Sequence, residues 1–217
     1  MMRLALSSAC LALSPICAAA PVAAQIAPAA QAPTPMSPEA TRVARWATAS
    51  DDHRHLPFAV IDKVAARLHL FDASGQPLAS VPVLIGIAPG DDATPGVGSK
   101  SLAEIGPAEK TTPAGRFLAK FGPAAGGTKM LWVDYATSVA IHPIPKDASR
   151  KDRRRERMLS ETADDNRITY GCINVPAAFY TKLLRPRFLK KGGYVYILPD
   201  TKPLGMVLPL AAVSPAD

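Results

Sequence analysis

Two residues of this 217-residue chain have the types needed for nucleophilic catalysis, a cysteine and a histidine that each lie at the edge of a predicted strand. Cys172 follows Gly171, and a short helix is predicted just after it. Glycine there lets backbone amides approach a ligand closely, and a helix N-terminus close to the sulfur would favour the thiolate. His142 ends the apolar run 139–141, at a strand rim where functional groups project. A thiol nucleophile needs a base, so the pair predicts Cys172 as nucleophile and His142 as its base.

Each of the two residues also has an inert interpretation. Cys10 and Cys17 lie in a predicted leader, so Cys172 would be the single thiol of the processed chain, without a partner for a structural disulfide. A lone thiol is either a small buried apolar residue or a reactive group, and a histidine at a strand end is often structural. The occurrence of both residues together favours catalysis.

The residues around this pair resemble the signature of the L,D-transpeptidase catalytic domain, also called YkuD-like. That signature is a histidine, a spacer, then Ser or Thr, His, Gly, Cys, an apolar residue, and Asn or Arg. Its places are filled here by His142, Thr169, Gly171, Cys172, Ile173 and Asn174. Further resemblance lies in Val60-Ile61-Asp62-Lys63 with Arg67-Leu68, in Val83 to Gly86, and in Thr112-Pro113-Ala114-Gly115-Arg116-Phe117. The combination, which covers roughly 58–198, is far more specific than any one motif.

The chain departs from the family pattern in two ways. Tyr170 stands where the family usually has a second histidine, although a phenol can still donate a hydrogen bond. Cys172 lies 30 positions after His142 (172 minus 142), a longer spacer than usual, and the excess contains the charged stretch Lys146 to Arg167. Such a stretch is usually a solvated loop. Because it is bracketed by the two candidate catalytic residues, we hypothesise that Arg150 to Arg157 form a mobile lid over anionic stem peptides.

The resemblance implies a peptidoglycan L,D-transpeptidase that acts on stem peptides through a Cys172 thioester, without a cofactor or metal. It implies an oxyanion site at the amides of Tyr170, Gly171 and Cys172, and a backbone carbonyl that orients His142. Thr169 and Asn174 are expected to fix the loop that carries Cys172, here called the nucleophile loop, by local hydrogen bonds. Three alternatives stay open: an L,D-carboxypeptidase, an amidase with the same Cys-His dyad, and a non-catalytic wall-binding protein.

The pattern of apolar residues predicts a mainly β fold, a YkuD-like sandwich or barrel of mixed strands with a few short helices. The predicted strands are 58–62, 67–72, 78–87, 115–121, 129–134, 138–142 and 194–198. A helix capped by Ser37 is predicted to run to about Ala49, and another from Pro176 to Leu184. These elements must bring His142 and Cys172 together.

The chain divides into a signal peptide (1–24), an Ala/Pro-rich linker (25–36), an N-terminal helix and connector (37–57), the catalytic domain (58–198) and a proline-rich tail (199–217) that wraps the surface or is disordered. The leader has one early arginine and an apolar run too short to span a bilayer. It predicts export to the periplasm or cell envelope, with no membrane span after cleavage.

The charge of +7 and the pI near 9.5 predict an anionic partner. For an exported chain we expect a cell-wall polymer or membrane surface, and no nucleic acid. His53 and His55 lack further ligands at metal-binding spacing and are predicted to be surface groups, whereas His69 is predicted to be structural. The sequence does not indicate the oligomeric state.

Overall fold

A computed structural model describes residues 35–124 and 127–208 of the chain. The predicted signal peptide and most of the predicted linker lie outside these residues, as does the end of the tail from 209. The first element is helix α1, Pro38–Ala49, which begins where the sequence predicts. Ser37 caps it by accepting a hydrogen bond from the amide of Ala40 at 3.1 Å.

Within the described ranges, ten strands and four further α-helices follow α1. The strands are β1 (Phe58–Asp62), β2 (Arg67–Phe71), β3 (Pro77–Pro82), β4 (Ile85–Gly86), β5 (Gly115–Pro123), β6 (Lys129–Asp134), β7 (Val139–Pro143), β8 (Arg167–Thr169), β9 (Ile173–Val175) and β10 (Gly193–Ile197). The helices are α2 (Arg154–Leu159), α3 (Ala177–Phe179), α4 (Arg185–Phe188) and α5 (Leu204–Val207). Among the described residues no helix is long and apolar enough to cross a membrane.

Eight of the strands form one mixed sheet in the order β3-β2-β1-β10-β5-β6-β7-β9, while β4 and β8 form a parallel pair. The neighbours β1 and β10 are parallel, as are β7 and β9, and the other pairs in the large sheet are antiparallel. The sheet nearly closes, because the amides and carbonyls of Leu84 and Asn174 exchange hydrogen bonds of 3.0 and 2.9 Å. Leu84 follows β3, and Asn174 belongs to β9 at the opposite edge. The mainly β prediction is confirmed.

Two apolar clusters lie on opposite faces of β1 and β10. Ala59 and Ile61 point into the interior of the curved sheet with Val195 and Ile197. The alternate residues on these strands pack against α1; they are Phe58, Val60, Tyr194 and Tyr196. Because successive side chains of a strand point to opposite faces, both faces of these two central strands are buried.

Three predicted elements differ from the structure. The predicted strand 78–87 is wrong as one element, because Val83 bonds instead to the carbonyl of Ala66 and the strand is interrupted. The predicted helix 176–184 continues through a π-helical turn, Tyr180–Leu184, into α4. The tail from 199 is anchored rather than disordered as far as Leu208, which is buried against the α1 cluster.

Candidate active site

Strands β7 and β9 position His142 and Cys172 on one face of the sheet. The two strands are parallel, with Ile141 opposite Ile173 and His142 opposite Asn174. Ile141 and Ile173 point into the apolar interior, so His142 and Asn174 project from the other face. Cys172 comes two residues before Asn174 and shares its side. His142 and Cys172 are therefore diagonal neighbours across adjacent strands, a relation that side chains can bridge.

The ring of His142 is oriented by the next residue of its own strand. Its Nδ1 lies 2.7 Å from the carbonyl oxygen of Pro143. A carbonyl only accepts hydrogen bonds, so Nδ1 carries the hydrogen and Nε2 is unprotonated. The backbone carbonyl expected as the orienting partner is confirmed, and Nε2 is the atom that can take a proton.

The sulfur of Cys172 is half-buried and lies against the start of β7. Its thiol donates a weak hydrogen bond to the carbonyl of Ser138 at 3.6 Å. Ser138 has a left-handed backbone, with φ of 58°, where a non-glycine residue is uncommon. In residues 35–124 and 127–208 no hydrogen bond joins the sulfur to His142.

The surroundings of the Cys172 thiol and of the His142 imidazole favour the neutral form of each group. Burial raises the pKa of the Cys172 thiol, and the Ala140 amide and the Arg154 charge oppose this rise only in part. Burial also lowers the pKa of His142, the hydrogen bond that Nδ1 donates to the Pro143 carbonyl opposes this, and the charge of Arg154 lowers the pKa further. Both shifts favour a thiol and a neutral imidazole over a thiolate-imidazolium pair.

The condition under which a helix dipole would favour the thiolate is not met in the described residues. Strand β9 intervenes between Cys172 and α3, which begins only at Ala177. The dipole of a helix falls off within its first turn. The raised pKa of the thiol is consistent with this separation.

Gly171 allows a close approach between the nucleophile loop and the turn at Thr112-Pro113, here called the Thr-Pro turn. Its φ is 121°, and a Cβ at this position would lie 2.7 Å from the carbonyl oxygen of Thr111. Thr112 donates its hydroxyl hydrogen to the carbonyl of Gly171 at 2.8 Å and accepts the amide of Gly86 at 2.8 Å. The loop before Cys172 is thereby fastened to the turn and to β4. Thr112 was part of the recognised motif, but its position in the sequence did not reveal this role.

Thr169 closes the nucleophile loop from the other side, as expected. Its hydroxyl donates to the carbonyl of Cys172 at 2.6 Å and accepts the amide of Gly171 at 3.2 Å. The Gly171 amide is thus already engaged in this conformation. Of the three amides expected to form an oxyanion site, those of Tyr170 and Cys172 are the remaining candidates.

Asn174 and Arg154 meet beside His142. The Asn174 side chain is buried, and its amide nitrogen lies 3.5 Å from both ring nitrogens of His142. Its oxygen accepts a hydrogen bond from Nη1 of Arg154 at 3.1 Å. Asn174 therefore links the histidine to the inserted segment instead of fixing the nucleophile loop through its side chain. Arg154 was predicted only as part of the lid 150–157, and the useful signal was that the insertion begins and ends near the two candidate catalytic residues.

Tyr170, at the place of the second histidine of the family, is exposed on the outside of the loop. The ammonium of Lys110 lies 3.9 Å from the centre of its ring. This is a cation–π contact. The side chain is held at the surface next to the nucleophile, in contact with a residue that precedes the Thr-Pro turn.

The remaining histidines lie away from this site. His53 is buried, with Nδ1 2.9 Å from the carbonyl of Leu56, so the surface position predicted for it is wrong, whereas His55 is exposed. His69 lies in β2 and lines a cavity of about 440 Å³ with residues of β3, among them Leu78 and Ser80. No group of three possible metal-binding side chains occurs within the described ranges.

Comparison with solved structures finds likenesses of fold at low sequence identity. One is an L,D-transpeptidase from Xylanimonas cellulosilytica, 14% identical, covering 65% of this chain and 60% of that chain at a TM-score of 0.41. The catalytic domain of the E. faecium L,D-transpeptidase is 17% identical, covering 65% of this chain and 95% of that domain at a TM-score of 0.38.

A third likeness is to Pgp2 of Campylobacter jejuni, a helical cell shape determining protein. It is 17% identical, and the match covers 68% of this chain and 49% of Pgp2 at a TM-score of 0.45. This chain thus spans about half the length of Pgp2 and three fifths of the Xylanimonas chain. No protein-family model and no curated protein matches the sequence.

Proposed function

We propose that this protein is an exported L,D-transpeptidase of bacterial peptidoglycan, with Cys172 as nucleophile and His142 as general base. The observation that supports the proposal is the parallel pairing of β7 with β9, which makes Cys172 a diagonal neighbour of His142, whose Nδ1 contacts the carbonyl of Pro143. An unprotonated Nε2 on a residue that neighbours a thiol is what nucleophilic acyl transfer requires.

The first half-reaction forms a thioester. His142 Nε2 takes the thiol proton while the sulfur of Cys172 attacks the carbonyl of the third stem residue. The tetrahedral oxyanion is held by the amides of Tyr170 or Cys172. The C–N bond then breaks, and the imidazolium returns the proton to the departing amine of the terminal D-alanine.

The second half-reaction releases the acyl group. An amine of a second stem peptide attacks the thioester carbonyl, gives its proton to His142, and forms an amide as the C–S bond breaks. The imidazolium then reprotonates the thiolate, which restores the neutral resting pair. Water as the acceptor would make the protein an L,D-carboxypeptidase by the same steps. The charge of +7 supports a polyanionic wall as the surroundings of the enzyme.

The test is incubation of the protein, processed at its predicted signal, with a disaccharide tetrapeptide, followed by mass spectrometry of products and of intact protein. A cross-linked dimer together with a thioester adduct on Cys172 is expected. A tripeptide alone would reassign the activity to a carboxypeptidase. Absence of both products, with retained binding to peptidoglycan, would leave the wall-binding alternative.

Cys172→Ser provides the matched control, because it changes one atom and keeps the loop. It is expected to abolish both the adduct and the dimer. Full turnover by this variant would refute Cys172 as the nucleophile. His142→Gln is expected to slow adduct formation by a factor of about 100 or more, since a positioned base contributes about 10²–10⁴-fold.

A further inference from the structure

The inserted segment places one arginine at the candidate active site. Arg154 opens α2, and its side chain is only 14% exposed. Its Nε donates to Asp152 at 3.1 Å and its Nη1 donates to Asn174 at 3.1 Å. Asn174 in turn touches the ring of His142. The guanidinium therefore reaches the dyad from a segment 20 positions away in sequence from Asn174.

Much of the hydrogen-bonding capacity of Arg154 is unused. A guanidinium has five N–H donors. The contacts with Asp152 and Asn174 use two of them, and the described part of the chain holds no partner for the other three, two of which are on Nη2. A planar fork with free donors suits a carboxylate. The single ion-pair partner, Asp152, is itself partly exposed.

The charge of Arg154 acts on both members of the dyad. It lowers the pKa of His142 and also that of Cys172. A positive charge influences both groups only if it lies close to both. An anionic part of a substrate that binds Arg154 would consequently lie beside the sulfur.

The proposed donor has an anion at that place. In a tetrapeptide stem, the carboxylate of the terminal residue is three bonds beyond the carbonyl that Cys172 attacks, and so within about 4 Å of it. In a longer stem, or in one with a blocked end, the same position holds an uncharged amide. A cation beside the nucleophile can distinguish the terminal carboxylate from the uncharged amide.

We propose that Arg154, held by Asp152 and Asn174, binds the free C-terminal carboxylate of the donor stem and so selects stems that end at the residue that is released. This inference rests on the proposed function and assigns the specificity of the same site. Arg154 acts here as a substrate-binding residue that aligns the scissile carbonyl with Cys172.

The test compares a disaccharide tetrapeptide with its C-terminal amide as donors. The wild-type protein is expected to prefer the free acid by about 10- to 100-fold in kcat/KM, the worth of a charge-assisted pair. Arg154→Gln should remove this preference by slowing the acid donor to the rate of the amide, and Arg154→Lys should restore part of it. Arg155→Gln, which changes an exposed neighbour on the same helix, should keep the wild-type preference.

Two further measurements separate binding from folding and from catalysis. In Arg154→Gln, alkylation of Cys172 by neutral iodoacetamide should proceed within a few-fold of the wild-type rate. If Arg154 were merely structural, the substitution would lower kcat/KM equally for the acid and amide donors and would also change the alkylation rate. Calorimetry with Cys172→Ala should show tighter binding of the acid than of the amide. Equal use and equal binding of the two peptides would overturn the carboxylate site even where transpeptidation is found. A binding preference without any turnover would support the site and refute the proposed reaction.

Discussion

The hydroxyl of Thr112 joins two parts of the fold, since it donates to the carbonyl of Gly171 and accepts the amide of Gly86, each at 2.8 Å. The three residues are distant in sequence and belong to the turn before β5, the nucleophile loop and β4. Lys63, which is fully buried, donates to the main-chain carbonyl of Thr112 at 3.0 Å. The position of Cys172 therefore depends on a residue that does not itself contact the sulfur.

Thr112→Val is expected to impair both stability and reactivity. The substitution keeps the shape but leaves the amide of Gly86 and the carbonyl of Gly171 without a partner, at about 1–3 kcal/mol for each buried group. We expect the free energy of unfolding to fall by about 2 kcal/mol and adduct formation on Cys172 to slow by about 10- to 100-fold. Urea denaturation and intact-protein mass spectrometry measure the two effects.

Thr111→Val is the control for this substitution, because Thr111 is also buried and its hydroxyl makes no hydrogen bond with any described residue. It should behave like the wild type in both measurements. Wild-type adduct formation by Thr112→Val would show that the hydroxyl does not position the nucleophile.

Gly171→Ala should be more destabilising than the same substitution at an open position. Gly171 combines a φ of 121° with a Cβ position 2.7 Å from a backbone oxygen, whereas Gly96 has a φ of 76° and nothing within 4 Å. We expect a loss of about 1 kcal/mol for Gly96→Ala, from the left-handed backbone alone, and of about 3 kcal/mol for Gly171→Ala. Denaturation of both variants checks the difference; equal losses would mean that Gly171 is needed only for its backbone angle.

The strands near the N-terminus could be predicted because their pattern is local. The short apolar runs of β1 and β2, with a turn between them, indicate a hairpin without knowledge of the rest of the chain. The interruption after β3 could not be predicted in this way. It is caused by Leu84, which pairs with Asn174 across the closing edge of the sheet.

In the candidate site, too, the features with a local sequence pattern could be predicted and those that depend on long-range contacts could not. The motif identified His142 and Cys172, and the parallel pairing of β7 with β9 places them together. Arg154 looked like the other cations of a charged run, since composition does not show which of them turns inward. The tail was predicted from its prolines alone. Its start is held by the carboxylate of Asp91, which accepts the amide of Thr201 from a position 110 residues earlier in the chain.

The pH dependence of alkylation tests the neutral resting pair. Because burial raises the pKa of Cys172 above its ordinary value, the thiolate fraction should be small at neutral pH. We expect the alkylation rate with iodoacetamide to rise continuously with pH up to and beyond about pH 8.5, the ordinary thiol range. A preformed ion pair would instead give a plateau at neutral and mildly acidic pH.

Two controls sharpen this measurement. A synthetic peptide of residues 168–176 reports the thiol without the fold, and its titration should lie at lower pH than that of the protein. His142→Ala should leave the alkylation profile nearly unchanged while it abolishes acyl transfer. A large fall in alkylation at neutral pH in this variant would show that His142 already holds the thiolate.

Asp91 anchors the C-terminal segment to the turn that supports the site. Its carboxylate accepts the amides of Asp200, Thr201 and Lys202 at 2.5, 2.9 and 2.7 Å and pairs with buried Lys63 at 2.9 Å. Burial by itself raises the pKa of Asp91, but these donors together outweigh it and hold the pKa far below its ordinary value. Asp91→Asn should reduce the free energy of unfolding by about 3 kcal/mol, because it removes one of the two carboxylate charges that face buried Lys63 and leaves only that of Asp200.

Asp92→Asn is the matched control, since Asp92 pairs with the ammonium of Lys202 at the surface. Exposed pairs contribute about 0–1 kcal/mol, so this variant should be nearly as stable as the wild type. The folded pKa of Asp91 lies below the unfolded one, so its contribution is complete above about pH 4 and is lost as the pH falls further. Urea denaturation at several pH values should show that acid-dependent loss in the wild type and a weaker one in Asp91→Asn. Equal stability of the two asparagine variants would contradict the anchoring role, and with it the support that Lys63 gives to Thr112.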